Sequence, residues 1–149
     1  MATKFYLCPI CGNVVVKVAD SGVDLVCCGR EMKEISQGTM DGMREKHLPV
    51  VERLDGCTYR VKVGSEPHPM IDEHHIVFIY FETENGGQIK YLKPLEKPEV
   101  IFYGIKEKPV AVYAYCNIHG MWRKDLNYEK NDCSSDNCSS VDFLYGTEG

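Results

Sequence analysis

The chain has 149 residues, of which 44% are hydrophobic and 26% charged, and its formal net charge is −5. This composition predicts a globular chain with a packed core, and the acidic balance argues against a nucleic-acid partner because phosphate binding needs clustered Lys and Arg. No apolar run approaches the roughly 20 residues that span a bilayer, and the N-terminus lacks the apolar core of a secretory signal. We therefore expect a cytoplasmic protein with no membrane partner, in which CxxC pairs are metal ligands or redox groups more often than disulfides.

Residues 1–36 are predicted to form a small metal-binding domain. Cys8 and Cys11 are separated by two residues, and the adjacent Cys27 and Cys28 would complete a tetrahedral site of four thiolates for iron or zinc. So short a segment buries little apolar surface, and a metal would supply the missing stabilisation. Because neighbouring side chains diverge in extended backbone, the adjacent pair is expected to distort the tetrahedron. Redox-active iron, a zinc that only holds the domain together, and a disulfide or free thiols all remain open.

The second predicted domain, residues 37–126, begins with a linker and an exposed loop at 37–47 and continues as short strands separated by turns. Regularly spaced strands without a long helical pattern favour a β-sandwich, so the expected fold class is all-β. The predicted strands are 50–54 and 59–63 joined by an Asp-Gly turn, 76–83 and 89–92 joined by a glycine-rich turn, and the runs 100–105 and 110–115.

Four of the five histidines and one cysteine lie beside the predicted strand ends, where a sandwich gathers its loops at one edge. Their convergence on one ion is a second metal-site hypothesis, although any single histidine is more often a surface or core residue. Four imidazoles and one thiolate are too many donors for a tetrahedral zinc site, and they suit iron with an open sixth position. His75 is expected to face away from its neighbour and not to bind. The expected ligands are His47, His68, His74, Cys116 and His119.

Glu45 and Lys46 immediately precede the expected ligand His47 and are candidate catalytic residues. Lys46 would attract an incoming anion, and Glu45 would cover or ligate the vacant position of the metal. The alternative for both residues is a charge pair on a solvated loop.

Residues 127–149 are polar, low in complexity and acidic, with five carboxylates against one lysine, and a flexible tail is expected there. Cys133 and Cys138 lie in this tail, and a redox or metal role for them is the alternative to a disordered extension. Cys57, in the first predicted hairpin, is expected to be a buried or edge thiol.

The motifs that carry both donor sets resemble those of desulfoferrodoxin, the two-iron form of superoxide reductase. The resemblance implies a desulforedoxin-like N-terminal domain with iron on four cysteines, followed by an immunoglobulin-like β-sandwich whose iron has four equatorial histidines and one axial cysteine. By position these ligands are the five named above. The motifs are Cys8-x-x-Cys11 with Cys27-Cys28, Gly38-Thr-x-Asp-Gly-x-x-Glu-Lys-His47, Val63-Gly-Ser-x-x-His-Pro-Met70 and Tyr115-Cys-Asn-Ile-His-Gly-x-Trp122.

The same resemblance implies the reduction of superoxide to hydrogen peroxide without oxygen production, by a protein that is typically a homodimer. Lys46 matches the lysine credited with attracting superoxide and assisting protonation, and Glu45 matches the glutamate that can occupy the sixth position of oxidised iron. A small electron-donor protein such as rubredoxin is the expected partner. The four-cysteine site is expected to have a structural or electron-transfer role, with zinc as its alternative metal. A rubredoxin-like electron carrier and a zinc-stapled structural module are the competing hypotheses.

Overall fold

The computed structural model describes residues 3–38 and 47–128. The chain divides into two compact units, Met1–Gln37 and Gly38–Gly149, and each is described by itself. In both units the described residues are organised by antiparallel β-strands, which confirms the predicted all-β class. No helix within the described part of the chain has the length and apolar character needed to cross a membrane.

The first unit consists of short strands with a very small core. Its sheet has the order β2-β1-β5, and a separate hairpin pairs β3 with β4. Among the described residues of this unit only Phe5 and Cys8 are buried, so apolar packing contributes little to its stability. The strands are β1 Phe5–Leu7, β2 Val14–Val16, β3 Val26–Cys27, β4 Arg30–Glu31 and β5 Lys33–Glu34.

The second unit is a sandwich of two sheets. A short strand at Gln37–Gly38 (β6) is the last member of the larger sheet, and the other strands are β7 Pro49–Arg53, β8 Tyr59–Val63, β9 Ile76–Thr83, β10 Gly86–Tyr91, β11 Glu99–Phe102, β12 Pro109–Cys116 and β13 Gly120–Asp125. One sheet has the order β10-β9-β12-β13-β6 and the other the order β11-β8-β7. Both predicted hairpins are confirmed, but the second turns at Glu84 and Asn85, and the glycines predicted for its turn begin β10.

The sandwich core follows the alternation of buried and exposed side chains along each strand. In β8 the buried residues Tyr59, Val61 and Val63 alternate with Arg60 and Lys62, which point outward. These three residues pack with apolar side chains of the facing sheet, which include Phe81, Val112 and Ala114. Cys116 belongs to the same buried cluster, so a core strand carries this predicted ligand directly.

Strand pairing brings the predicted ligand loops to one end of the sandwich. The last residue of β12, Cys116, pairs with the first residue of β9, Ile76, so the loops that follow and precede these residues are neighbours. In the other sheet Pro49 at the start of β7 pairs with Val63 at the end of β8. His47 therefore lies at the same edge of its sheet as the segment that follows β8, which contains the predicted ligands His68 and His74.

Candidate metal centres

The four cysteines of the first unit converge, and their sulfur atoms all lie within 4.8 Å of one another. The Cys11 and Cys27 sulfurs are 3.6 Å apart, and those of Cys27 and Cys28 are 4.0 Å apart. Sulfur atoms at the corners of a tetrahedron with metal–sulfur bonds of about 2.3 Å are separated by about 3.8 Å. The four-sulfur cluster therefore has the size of a tetrahedral thiolate site for zinc or iron.

Backbone turns at both cysteine pairs produce this convergence. Gly12 has a φ of +81°, and its N–H donates to the Cys8 carbonyl at 3.0 Å, which closes the tight turn after the first pair. Cys28 has a φ of +53°, so the backbone at the second pair is not extended. The expected divergence of the adjacent side chains assumed an extended backbone, which Cys28 does not adopt, and the distortion expected of the tetrahedron stays a prediction.

The electrostatics of the sulfur cluster favour a bound cation. The backbone N–H of Cys11, 3.5 Å from the Cys8 sulfur, is the main cause that lowers the pKa of Cys8 to about 6. The neighbouring sulfurs of Cys11, Cys8 and Cys27 raise the pKa of Cys28 to about 12. Without a metal the cluster therefore retains protons at neutral pH, whereas a metal that binds thiolates would release them.

The second donor set comprises His47, His68, His74, Cys116 and His119, whose ligand atoms also lie within 4.8 Å of one another. The four imidazole rings form a near-square. Neighbouring ring centroids are 4.7–4.9 Å apart and meet edge to face. The His47 and His74 rings lie 6.3 Å apart across the diagonal and are inclined by 30°. The ligand nitrogens of the four rings lie within 4.8 Å of one another, close enough to bind one ion.

The nitrogen separations in this square match those of a metal site. Nε2 of His47 is 3.0 Å from Nδ1 of His119. Two nitrogens at right angles around one metal, each about 2.1 Å from it, lie about 3 Å apart. The pair therefore has the spacing of adjacent corners of a planar four-nitrogen site.

A hydrogen bond to the backbone orients the His68 ring as a metal ligand. Its Nδ1 lies 2.7 Å from the Pro69 carbonyl, so Nδ1 carries the proton and Nε2 offers its lone pair. That Nε2 is buried and has no hydrogen-bond partner among the described residues. Burial lowers the pKa of His68 to about 4, with smaller contributions from the three other imidazoles, so the ring is neutral at physiological pH. A buried lone pair of this kind is stabilised by a metal.

Cys116 supplies the only sulfur of this set, from the end of β12. The turn that follows has Gly120 at a φ of +83°, and the His119 N–H lies 3.4 Å from the Cys116 sulfur. Burial raises the pKa of the Cys116 thiol, while the backbone N–H groups of His119 and Ile118 oppose that effect. A thiolate at this buried position therefore requires a neighbouring cation, which a metal ion in the imidazole square would provide.

Two residues that the sequence analysis did not single out support the second set. Asn117 joins the two ligand loops, because its Nδ2 donates to the Glu73 carbonyl at 3.0 Å and its Oδ1 accepts from the His75 N–H at 2.9 Å. Trp122, which is 1% exposed, stacks on His47 with ring centroids 4.8 Å apart and planes inclined by 18°. The position of Asn117 inside a C-x-x-H loop was the available signal for its role. No feature of the sequence indicated that Trp122 stacks on His47.

The structure thus brings together all nine side chains predicted as ligands, in the two predicted groups. His75 is in neither group and instead contacts the Ile71 carbonyl through Nδ1 at 3.1 Å. The predicted catalytic residues Glu45 and Lys46 lie outside the described residues, as do Cys133 and Cys138. Iron fits the nitrogen–sulfur set better than zinc does, because five donors exceed a tetrahedral shell and leave one position of an octahedral ion.

Comparison with known proteins shows that both donor groups lie in segments that match one protein family. The profile of the desulfoferrodoxin family matches residues 39–125, and that of the desulfoferrodoxin N-terminal domain matches residues 2–35. Desulfoferrodoxin from Desulfarculus baarsii is 42% identical over 123 residues, which cover 82% of this chain and 95% of the relative. Desulfoferrodoxin from Nitratidesulfovibrio vulgaris is 43% identical over 122 residues, with the same coverage of 82% and 95%. The crystal structure of the superoxide reductase from Treponema pallidum aligns with a TM-score of 0.69 at 32% identity, covering 83% of this chain and 98% of that one.

Proposed function

Because the chain belongs to the desulfoferrodoxin family, we propose that it is a superoxide reductase that reduces superoxide to hydrogen peroxide at the site of four imidazoles and one thiolate. The observation that carries the proposal is the near-square of His47, His68, His74 and His119 with the Cys116 sulfur beside it. Each superoxide takes up one electron and two protons to give one peroxide. When bound in this site, iron supplies that electron and is reset by an external reductant.

The residues of the proposed active site have separate tasks. Neutral imidazoles supply nitrogen donors without adding charge, as the lowered pKa of His68 exemplifies. As a thiolate, Cys116 would add one negative charge and increase the electron density at a bound metal. His119 is exposed, whereas His47 and His68 are buried, so the site reaches the surface on one side and a small anion has access.

Glu45 and Lys46 are proposed as catalytic residues because they precede His47 in the sequence and match the family motif. We propose that Lys46 attracts superoxide by its charge and assists protonation of the reduced product. Glu45 would occupy the sixth metal position when no substrate is bound.

The four-sulfur cluster is proposed to hold a second iron, which gives two irons per chain. Its sulfur spacing suits zinc equally well, so metal content decides between the two metals. An iron there would have a structural or an electron-transfer role. Because the first unit buries only Phe5 and Cys8 among its described residues, a metal is expected to stabilise it in either case.

The remaining parts of the proposal concern the cellular setting. The protein is proposed to work in the cytoplasm as a homodimer, with a small electron-donor protein such as rubredoxin as its reductant. Support for this setting comes from the family resemblance and from the reduced thiols that both metal sites require.

Pulse radiolysis with peroxide quantification tests the activity. The iron-loaded protein is expected to remove superoxide and form one peroxide per superoxide without oxygen. His68→Ala should abolish the reaction and the spectrum of the nitrogen–sulfur iron, whereas the matched variant His75→Ala should retain both. Activity that persists in His68→Ala would favour the electron-carrier hypothesis, and a preparation with one zinc and no iron would favour the structural module.

A further inference from the structure

A pocket with a volume of about 350 Å³ lies between the segment that follows β8 and the segment that precedes β11. Two backbone hydrogen bonds join these segments. The Val63 N–H donates to the Pro98 carbonyl at 2.9 Å, and the Leu95 N–H donates to the Met70 carbonyl at 2.7 Å. The pocket is therefore formed before any ligand binds, and its volume is near the lower end of the range of about 300–1,000 Å³ that is usual for small-molecule sites.

The lining of this pocket combines apolar walls with a net positive charge. Pro67 and Pro98 provide apolar surface, and the exposed side chains of Lys62 and Lys97 also line the pocket. Neither lysine forms an ion pair within the described part of the chain. Glu99 is the one carboxylate of the lining, so two lysines against one glutamate leave a charge of +1 in a chain whose formal charge is −5. Such a local excess of positive charge attracts anions.

The position of Glu99 limits the charge of the ligand. Glu99 pairs with Lys62 across the β11–β8 ladder, so the two side chains lie on the same face of the sheet. A second negative charge on a ligand would therefore be repelled by the glutamate. We propose that this pocket binds a small organic monoanion, whose acidic group contacts Lys62 and Lys97 while its apolar body packs on the two prolines.

The pocket is separate from both donor sets. None of the nine proposed metal ligands lines it. Pro67 is next to His68 in the sequence, but the His68 ring is buried and its Nδ1 is held by the Pro69 carbonyl. Substitution of the two exposed lysines is therefore not expected to remove either metal. Binding of an organic anion here does not depend on the proposed reaction with superoxide.

Isothermal titration of the full metal-loaded protein with anilinonaphthalene sulfonate tests the proposal. This probe carries one sulfonate on an apolar aromatic body, and one molecule is expected to bind per chain. Phenylnaphthylamine, the same body without the sulfonate, should bind at least about tenfold more weakly, because the loss of a charge-assisted hydrogen bond has about this effect. Equal affinity for the two compounds, several weak sites per chain, or no binding of the sulfonate would each overturn the proposal.

The location of the site is tested with charge-matched variants. The double variant Lys62→Ala/Lys97→Ala should bind the sulfonate at least about tenfold more weakly than the wild type. Lys90→Ala/Lys124→Ala removes two exposed lysines from the larger sheet and should bind it as the wild type does. Equal affinities in the two double variants would place the probe elsewhere and refute the assignment. Metal content and the thermal midpoint establish that both proteins are folded.

Glu99→Gln supplies a test that damage to the fold cannot imitate. Removal of the carboxylate raises the charge of the lining to +2, so the sulfonate is expected to bind more tightly than it does to the wild type. Added salt should weaken binding in the wild type and in this variant. Weaker or unchanged binding in Glu99→Gln would contradict the placement of the anion beside this residue. None of these measurements uses superoxide, so failure of the proposed function and failure of this proposal can be told apart.

Discussion

Asn117 and His75 are joined by a pair of hydrogen bonds across the two ligand loops. The His75 N–H donates to Asn117 Oδ1 at 2.9 Å, and the Asn117 N–H donates to the His75 carbonyl at 3.2 Å. Because His74 precedes one partner and Cys116 precedes the other, the pair fixes the separation of two proposed ligands. The Asn117 side chain thus positions the backbone of the two ligand loops and is not itself one of the proposed ligands.

Asn117→Ala is expected to weaken metal binding at the nitrogen–sulfur site by about 10- to 100-fold, the usual effect of removing an outer partner of metal ligands. The sulfur cluster shares no residue with these loops and should keep its metal. Competition with a chelator, followed through the separate spectra of the two sites, measures both affinities. Asn127→Ala, at an exposed position, is the matched control, and equal affinities in the two variants would contradict the role of Asn117.

Trp122 is the only tryptophan of the chain and stacks on a proposed ligand, so its fluorescence should report on the nitrogen–sulfur site. Iron added to the metal-free protein is expected to quench this fluorescence as the nitrogen–sulfur site fills. His47→Ala, titrated in the same way, should lose the quenching, and quenching that persists in that variant would contradict the assignment.

The two metal-site hypotheses differ in how far local sequence determines them. C-x-x-C and C-x-x-H spacings act within a single turn, so the predicted participation of Cys8 with Cys11 and of Cys116 with His119 needed no knowledge of the fold. His47, His68 and His74 could be grouped with them only through the expectation that sandwich loops gather at one edge, which the strand pairing now explains. The ligation of metal by these residues stays a prediction.

Other features depend on three-dimensional context that no pattern contains. The positive φ of Cys28 could not be predicted, because cysteine is not a residue that signals left-handed backbone. Cys57 is 3% exposed, which confirms the buried position predicted for it.

Cys28→Ser should empty or distort the sulfur cluster while the nitrogen–sulfur site is unaffected, because the two donor sets have no residue in common. The loss of one thiolate is expected to destabilise the first unit, whose described core is minimal. The rate of the first reaction with superoxide, measured on reduced protein, should remain that of the wild type. A large fall in that rate would show that the sulfur site acts in the reaction itself. Metal analysis and the iron–tetrathiolate spectrum establish that the substitution had its intended effect.

His68 gives the metal-free protein a predictable acid sensitivity. Burial lowers the folded-state pKa of His68 from 6.5 to about 4, so in this range the unfolded chain binds a proton that the folded chain does not. Stability is therefore retained above pH 6.5 and lost as the pH falls toward 4. The loss is at most about 3.5 kcal/mol, since one pKa unit corresponds to about 1.4 kcal/mol.

Urea unfolding of the metal-free protein at several pH values measures this effect, with His68→Gln as the non-titrating comparison. The stability difference between wild type and variant should be constant at neutral pH and change in favour of the variant as the solution becomes acidic. If the unfolding free energies of wild type and variant changed with pH in parallel through this range, His68 would not be held neutral by burial. In that case only the hydrogen bond to Pro69 would prepare the His68 lone pair for a metal.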